Sequence, residues 1–226
     1  MTRPVAQRFT ISLAGGGVFA ALAAILTLAK AAIPFPLIPY LQIDFSEIPI
    51  LIAFFLFGPV SAAISATIQW IFLNVQGSDA PLGPMIKLIA IMSMLGGFAF
   101  GNAIYRRIKR DGIHPAIALS MMFGGGILWR VIAMTVVNYF VLLYVGPMFF
   151  GADYLGYAKL TLEQTTGWRF GNDLMVLSYT LILTAIYNII NLMVAAIPAG
   201  LIITPVTKSF KHITSVEAWL VRSIQS

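Results

Sequence analysis

The stretch IPFPLIPYLQIDFSEIPILIAFFLFGP, residues 33–59, decides how the chain can fold. Three prolines in its first seven residues remove backbone donors and prevent a regular helix. The apolar run that follows, Ile48 to Phe57, stops at Gly58 and Pro59. It is about half the length of the roughly 20 residues that a straight membrane-crossing helix needs. Irregular backbone at membrane depth is tolerated only where protein or a water-filled cavity covers it. The run therefore predicts a short crossing that its surroundings complete.

The composition places the whole chain in a membrane. Of its 226 residues, 59% are hydrophobic and 10% are charged, whereas a soluble domain carries about 25% charged residues. We expect an all-α integral membrane protein with a single membrane domain, residues 1–226, and six transmembrane helices, of which the second is short. The expected spans are approximately 11–32, 46–57, 60–75, 84–105, 116–145 and 174–203. The N-terminal apolar run is expected to be a retained first helix and not a cleaved signal peptide.

The placement of charges predicts the orientation. With six crossings and the N-terminus inside, nine of the 14 Lys and Arg residues fall on the cytoplasmic side: Arg3, Arg8, Arg106, Arg107, Lys109, Arg110, Lys208, Lys211 and Arg222. This is a positive-inside bias, and it predicts a multi-pass plasma-membrane protein with both termini cytoplasmic. The net charge of +6 then reflects topology and contact with anionic membrane lipid, and we expect no nucleic-acid partner.

Several kinds of chemistry are excluded or disfavoured. The chain has no cysteine, so disulfides, thiol chemistry and Cys-based metal sites are excluded. It has no GxxxxGK[ST] phosphate loop and cannot be its own P-loop ATPase. It has two histidines, both near the expected cytoplasmic surface, and no HExxH motif. We therefore predict no metal, no cofactor and no enzymatic activity.

Two rows of small residues suit close helix packing. In span 1, Ala20 and Ala24 continue a row of small residues spaced four apart, and Gly17 and Ala21 lie beside it. Such a row lets another helix approach closely, either within the chain or as a docking face for another subunit. Gly97 and Gly101 in span 4 form a second such motif, 97–101, which is expected to serve packing within the chain.

A few polar residues lie within the spans. Ionisable groups there are costly, so they face a cavity or a partner, or snorkel to the surface. Both possibilities stay open for Lys87, and we expect Arg130 to reach the cytoplasmic face. Asn188 and Asn191 are three apart and point the same way on their helix. They could form interhelical hydrogen bonds or grip a planar polar heterocycle.

These residues and the first external loop outline a candidate binding site. The loop could be an ordinary connection or the cap of a pocket open to the outside. The candidate substrate-binding residues are Tyr40, Leu41, Gln42, Asp44, Lys87, Asn138, Tyr139, Asn188 and Asn191.

Three runs resemble a known family. YLQIDFSEIPILIAFFLFGPVSA (40–62), MTVVNYFVLLYVGP (134–147) and YNIINLMVAAIPAGLIITPVTK (187–208) are similar to the riboflavin-type substrate-binding (S) components of energy-coupling factor (ECF) transporters, and Ala20-xxx-Ala24 matches the small-residue motif of their first helix. The resemblance implies a six-helix subunit that binds a vitamin, riboflavin or a related flavin, on its external side. It also implies a transmembrane coupling (T) protein, which docks on Ala20 and Ala24, and two cytoplasmic ATPase subunits.

The chain departs from this pattern at two places. The sixth-helix motif of riboflavin-type members commonly reads Asn-x-x-Lys, where this chain has Asn188 and Asn191. Their fourth helix commonly begins with a Glu and, three residues later, an Asn, where this chain has Lys87 and Ala90. Three hypotheses follow. The ligand is a flavin, or it is another vitamin or heterocycle with an anionic group on Lys87, or the protein is a membrane scaffold that binds no small molecule.

Overall fold

The computed structural model describes residues 5–76, 80–108, 115–151, 153–213 and 219–220. Within these ranges the elements, in chain order, are α1 (Val5–Leu28), β1 (Ala32–Phe35), β2 (Ile38–Asp44), α2 (Glu47–Phe57), α3 (Pro59–Gln76), α4 (Leu82–Ile108), α5 (Pro115–Phe140), a π-helical turn (Val141–Val145), α6 (Gly146–Phe150), α7 (Tyr154–Thr166) and α8 (Asp173–Ile213). The protein is therefore mostly helical.

In the part of the chain that the structure describes, four helical segments are long and apolar enough to cross a membrane: Phe9–Leu28, Leu82–Ile108, Ile117–Phe150 and Asp173–Val206. Two further apolar helices, α2 and α3, are shorter, with 11 and 18 residues. At 1.5 Å per residue, α2 is roughly 16 Å long, well short of the ~30 Å hydrocarbon core.

Helix α2 is the centre of the core. Eight of its 11 residues are buried, and α1, α3 and α8 pack around it. A helix that is apolar on every side must be surrounded by protein or by lipid, and α2 is surrounded by protein. The helix ends at Gly58, whose φ of +100° is a conformation that L side chains rarely adopt. This glycine turns the chain directly into α3.

Helices α4 and α5 meet through glycines. A Cβ at Gly97 would overlap the carbonyl of Gly125, and a Cβ at Gly101 would overlap that of Met121. Only glycine permits this backbone approach. The expectation that the motif 97–101 serves internal packing is confirmed.

Between α1 and α2, where a non-helical connection was expected, the mostly helical protein has a two-stranded sheet. Strands β1 and β2 form an antiparallel hairpin in which Ala32 pairs with Asp44 and Ile33 with Ile43. The prolines exclude a helix, but a two-stranded ribbon tolerates them, because each strand has a free edge where no amide donor is required. The inner side of the hairpin packs on α7 and α8 through Phe35 and Ile38.

Candidate functional site

The centre of the site is a buried ion pair between Arg130 of α5 and Glu47, the first residue of α2. Arg130 Nη1 donates to Glu47 Oε2 at 2.6 Å, and Nη2 donates to Oε1 at 3.0 Å. The two side chains are 2% and 1% exposed. This two-bond geometry matches the planar guanidinium to a carboxylate, which is the strongest form of such a pair.

The pair overturns the expectation that Arg130 snorkels to the cytoplasmic face. A guanidinium in an apolar bundle must either reach water or find a counter-ion. Glu47 supplies the counter-ion within the protein, so the Arg130 side chain is directed into the bundle. Sequence reasoning did not include Arg130 or Glu47 among the candidate site residues.

Asn188 and Asn191 of α8 extend this ion pair. The Asn188 oxygen accepts a hydrogen bond from Arg130 Nε at 3.0 Å. The Asn191 amide donates to Glu47 Oε1 at 2.8 Å, and its oxygen accepts the backbone N–H of Asp44 at 3.1 Å. The two asparagines therefore form interhelical hydrogen bonds, and their contact with a ligand stays a prediction.

A second ion pair lies next to the first, at the junction of the hairpin and α2. Lys87 of α4 pairs with the carboxylate of Asp44 and donates to Ser46 Oγ at 3.1 Å. Ser46 also accepts a hydrogen bond from Gln69 of α3, and its backbone N–H donates to Asp44 Oδ1 at 2.7 Å. The side chains of Lys87 and Asp44 are each 18% exposed. The charge of Lys87 is thus already balanced by the protein.

The hairpin is tied to α8 above these ion pairs. Tyr187 Oη donates to the Gln42 carbonyl at 2.6 Å, and its ring meets Phe35 edge-on with centroids 5.6 Å apart. Leu41 packs with the apolar cluster between the hairpin, α7 and α8. The Gln42 carbonyl and Leu41 side chain therefore help to hold the hairpin over the two ion pairs.

Tyr40 lies on β2 and is 41% exposed. Partial burial raises the pKa of its phenol above the ordinary value, and the phenols of Tyr154 and Tyr157 raise the pKa further. Tyr40 therefore keeps its proton at physiological pH and can donate a hydrogen bond.

Asn138 and Tyr139, the two predicted site residues on α5, have local contacts. The Asn138 amide donates to the Met134 carbonyl of its own helix at 2.7 Å. Tyr139 is 39% exposed, and its ring meets that of Phe140. These contacts do not join Asn138 and Tyr139 to the two ion pairs.

The small residues of α1 form one buried row and one exposed row. Ala20 and Ala24 are 1% and 4% exposed, so they pack inside the chain and do not offer a face to a partner in this structure. The neighbouring row, Gly17 and Ala21, is exposed. Helix α1 packs against α2 and α3, and docking of a partner on Ala20 and Ala24 stays a prediction.

The polar centre comprises Asp44, Glu47, Lys87, Arg130, Asn188 and Asn191. Among the residues that the structure describes, no group of three or more His, Asp or Glu side chains could hold a metal ion. The centre offers amides, a carbonyl and two compensated ion pairs in low-dielectric surroundings, which suits recognition by hydrogen bonds. A sequence signal for it existed: two cations inside spans, and two acids three residues apart where the hairpin meets α2.

The chain is similar to known proteins. A family model described as ECF transporter, substrate-specific component, matches residues 12–209. The chain is 32% identical over 130 residues to the riboflavin transporter RibU of Staphylococcus aureus, covering 58% of this chain and 64% of that protein. It is 32% identical over 117 residues to the riboflavin transporter FmnP of Bacillus subtilis, covering 49% and 56%. It thus spans less than two thirds of the length of either relative.

A solved structure described as the S component of a bacterial ECF transporter has the same fold. It aligns with a TM-score of 0.55 at 24% identity and covers 89% of this chain and 98% of the other. These relatives and the four long apolar helices make the chain a multi-pass protein of the plasma membrane. Because the family model matches most of its length, the chain belongs to the substrate-specific components of ECF transporters.

Proposed function

We propose that the chain is the vitamin-binding subunit of an ECF-type importer and that it binds riboflavin or a related flavin at its external side. The observation that carries the proposal is the polar centre, which is buried beneath the hairpin where α2, α4, α5 and α8 meet. The names of the two relatives, both riboflavin transporters, point to the ligand.

The ligand would exchange hydrogen bonds with the polar centre. A flavin ring presents an edge of donors and acceptors, and the amides of Asn188 and Asn191 can both donate and accept. The hairpin residues Tyr40 to Asp44 would form the roof, and Asn138 and Tyr139 would belong to the α5 wall. Water exclusion by this roof would strengthen every polar contact beneath it.

The state of Lys87 favours an uncharged ligand. Its ammonium group is paired with Asp44, so an anionic ligand would have to displace a carboxylate that already satisfies it. This chain lacks the Lys of the Asn-x-x-Lys motif and the Glu at the start of the fourth helix, both common in riboflavin-type members. These departures still allow a different heterocycle as the ligand. Riboflavin therefore ranks above a phosphorylated flavin, and another uncharged heterocycle is the alternative.

We propose six membrane crossings with both termini cytoplasmic: α1, α2, α3, α4, α5 with its continuation, and α8. In this topology the hairpin is outside and the end of α4 that carries Arg107 is inside. The cysteine-free chain permits a direct test with single cysteines at Leu37 and Arg107. An impermeant thiol reagent should label Leu37→Cys in intact cells and Arg107→Cys only after permeabilisation; the reverse result contradicts the orientation.

The importer would need partners that this chain does not supply. A transmembrane coupling protein and two cytoplasmic ATPases would convert ATP hydrolysis into release of the vitamin inside. Binding itself would need no ATP and no catalysis. On the structure, the exposed row of Gly17 and Ala21 is the α1 face that a coupling protein could approach.

The deciding experiment is a flavin titration of the purified protein, with mass spectrometry of any small molecule that co-purifies. We expect quenching of riboflavin fluorescence at submicromolar ligand and a flavin mass in the extract. Indifference to flavins, with a thermal shift from another vitamin, would reassign the ligand. A flat response across the vitamin panel would favour the scaffold hypothesis.

A further inference from the structure

An apolar groove runs between α4 and α5, apart from the polar centre. Its volume is about 290 Å³, and the residues that line it include Phe100, Ile104, Gly124, Leu128 and Trp129. The groove exists because the glycine contacts bring the two backbones together and leave no side chain to fill the space at Gly124, where an added Cβ would meet nothing within 4 Å.

The groove opens on the outer surface of the helix bundle, which would face lipid where α4 and α5 cross a membrane. Both helices belong to segments long and apolar enough to cross a membrane. Phe100, Leu128 and Trp129 are exposed, and the rings of Phe100 and Trp129 lie 5.4 Å apart, forming one wall. The volume and apolar lining of the groove suit a single acyl chain.

A positive charge lies at one end of this groove. Arg107 is exposed in the last turn of α4. It follows Phe100 by seven residues and Ile104 by three, so all three share one stripe of the helix. The distance along the axis from Phe100 to Arg107 is roughly 10 Å. Arg106 is equally exposed but points about 100° away, off the stripe.

We propose that the groove binds one acyl chain of an anionic phospholipid whose phosphate pairs with Arg107. The positive-inside rule places this end of α4 at the cytoplasmic leaflet, which is the leaflet rich in anionic lipid. The site is separate from the vitamin site and does not depend on the proposed ligand.

The test uses the full chain in non-ionic detergent, titrated with phosphatidylglycerol or phosphatidylcholine that carry the same mid-chain brominated acyl groups. Bromine quenches tryptophan fluorescence at short range. The part of the quenching that is lost in Trp129→Phe reports on this groove. We expect phosphatidylglycerol to quench Trp129 at about fivefold lower concentration than phosphatidylcholine, the effect of one Arg near an anionic surface.

Two variants and one control separate the outcomes. Arg107→Gln should abolish the lipid preference, whereas Arg106→Gln, a matched loss of charge on the same turn, should keep it. Gly124→Leu should fill the groove and remove the quenching by both lipids. If Gly124→Leu misfolds, Arg107→Gln still decides the test, because Arg107 is exposed. Equal quenching by both lipids in the unaltered protein, or equal effects of the two Arg changes, overturns the proposal. Shielding of Trp129 by a dimer, seen on chemical cross-linking, also overturns it.

Discussion

Arg130 and Glu47 are 83 residues apart in the chain, yet their side chains form a two-bond ion pair, with nitrogen–oxygen distances of 2.6 and 3.0 Å, in the buried centre of the protein. The pair joins α5 to the start of the short helix α2. Asn188 and Asn191 contact it from α8. One ionic contact thus fixes three helices relative to one another directly beneath the hairpin.

Removal of either charge from this pair should destabilise the protein severely. Arg130→Met leaves Glu47 as an uncompensated carboxylate in a buried site, so we expect a loss of about 3–5 kcal/mol in the free energy of unfolding. The measurement is denaturant unfolding in detergent. Arg107→Gln removes the same charge from an exposed position and should change the free energy of unfolding by no more than about 0.5 kcal/mol.

The double variant Glu47→Leu with Arg130→Met distinguishes a paired charge from two independent ones. Replacement of both partners by apolar side chains removes the unpaired charge, so its destabilisation should be smaller than the sum of the two single changes. Additive effects would contradict the coupling that the geometry implies.

The helices could be predicted from the sequence better than the contacts between them. Long apolar runs indicate helices because lipid offers no partner for backbone groups, and Gly58-Pro59 marks the end of α2. The partner of Arg130 could not be read this way, because it depends on how α5 and α2 are rotated about their axes. The rotation of α1 about its own axis could not be read either: Ala20 and Ala24, identified as a small-residue face, are buried, whereas Gly17 and Ala21 are exposed.

The hairpin could be predicted only in part. The prolines exclude a helix over residues 33–39, but they do not distinguish an irregular loop from a two-stranded ribbon. The pairing of Ala32 with Asp44 depends on the apolar face that Phe35 and Ile38 bury against α7 and α8. That tertiary support has no signature in the local sequence.

The Lys87–Asp44 pair predicts a preference for riboflavin over riboflavin 5′-phosphate. Because Asp44 already balances the ammonium group, the added phosphate should lower affinity. Asp44→Asn removes the carboxylate that balances Lys87. It should reduce the ratio of the dissociation constants of the two flavins at least fivefold, as measured by fluorescence titration of both flavins. Tighter binding of the phosphate ester by the unaltered protein, lost in Lys87→Met, would instead make Lys87 the counter-ion of the ligand.

The Tyr187 hydroxyl should slow the escape of ligand by holding the hairpin closed. Tyr187→Phe keeps the edge-on contact with Phe35 but deletes the hydrogen bond to the Gln42 carbonyl, a change of about 1 kcal/mol. We expect the flavin dissociation rate to rise about fivefold in a stopped-flow displacement experiment. The control is Tyr144→Phe, the same change at an exposed phenol on the π-helical turn, and a similar rise in both variants would exclude a specific role for the hairpin contact.

The exposed row on α1 should be required for assembly and dispensable for ligand binding. Gly17 has nothing within 4 Å of an added Cβ, so Gly17→Leu can be accommodated by the isolated subunit but would keep a partner helix from approaching closely. We expect co-purification with a tagged coupling protein and its ATPases to fall at least tenfold, while the flavin dissociation constant stays within twofold. Gly124→Leu makes the same change at an equally open glycine on α5 and should leave assembly intact. Normal assembly of Gly17→Leu would show that the coupling protein approaches another face of the subunit.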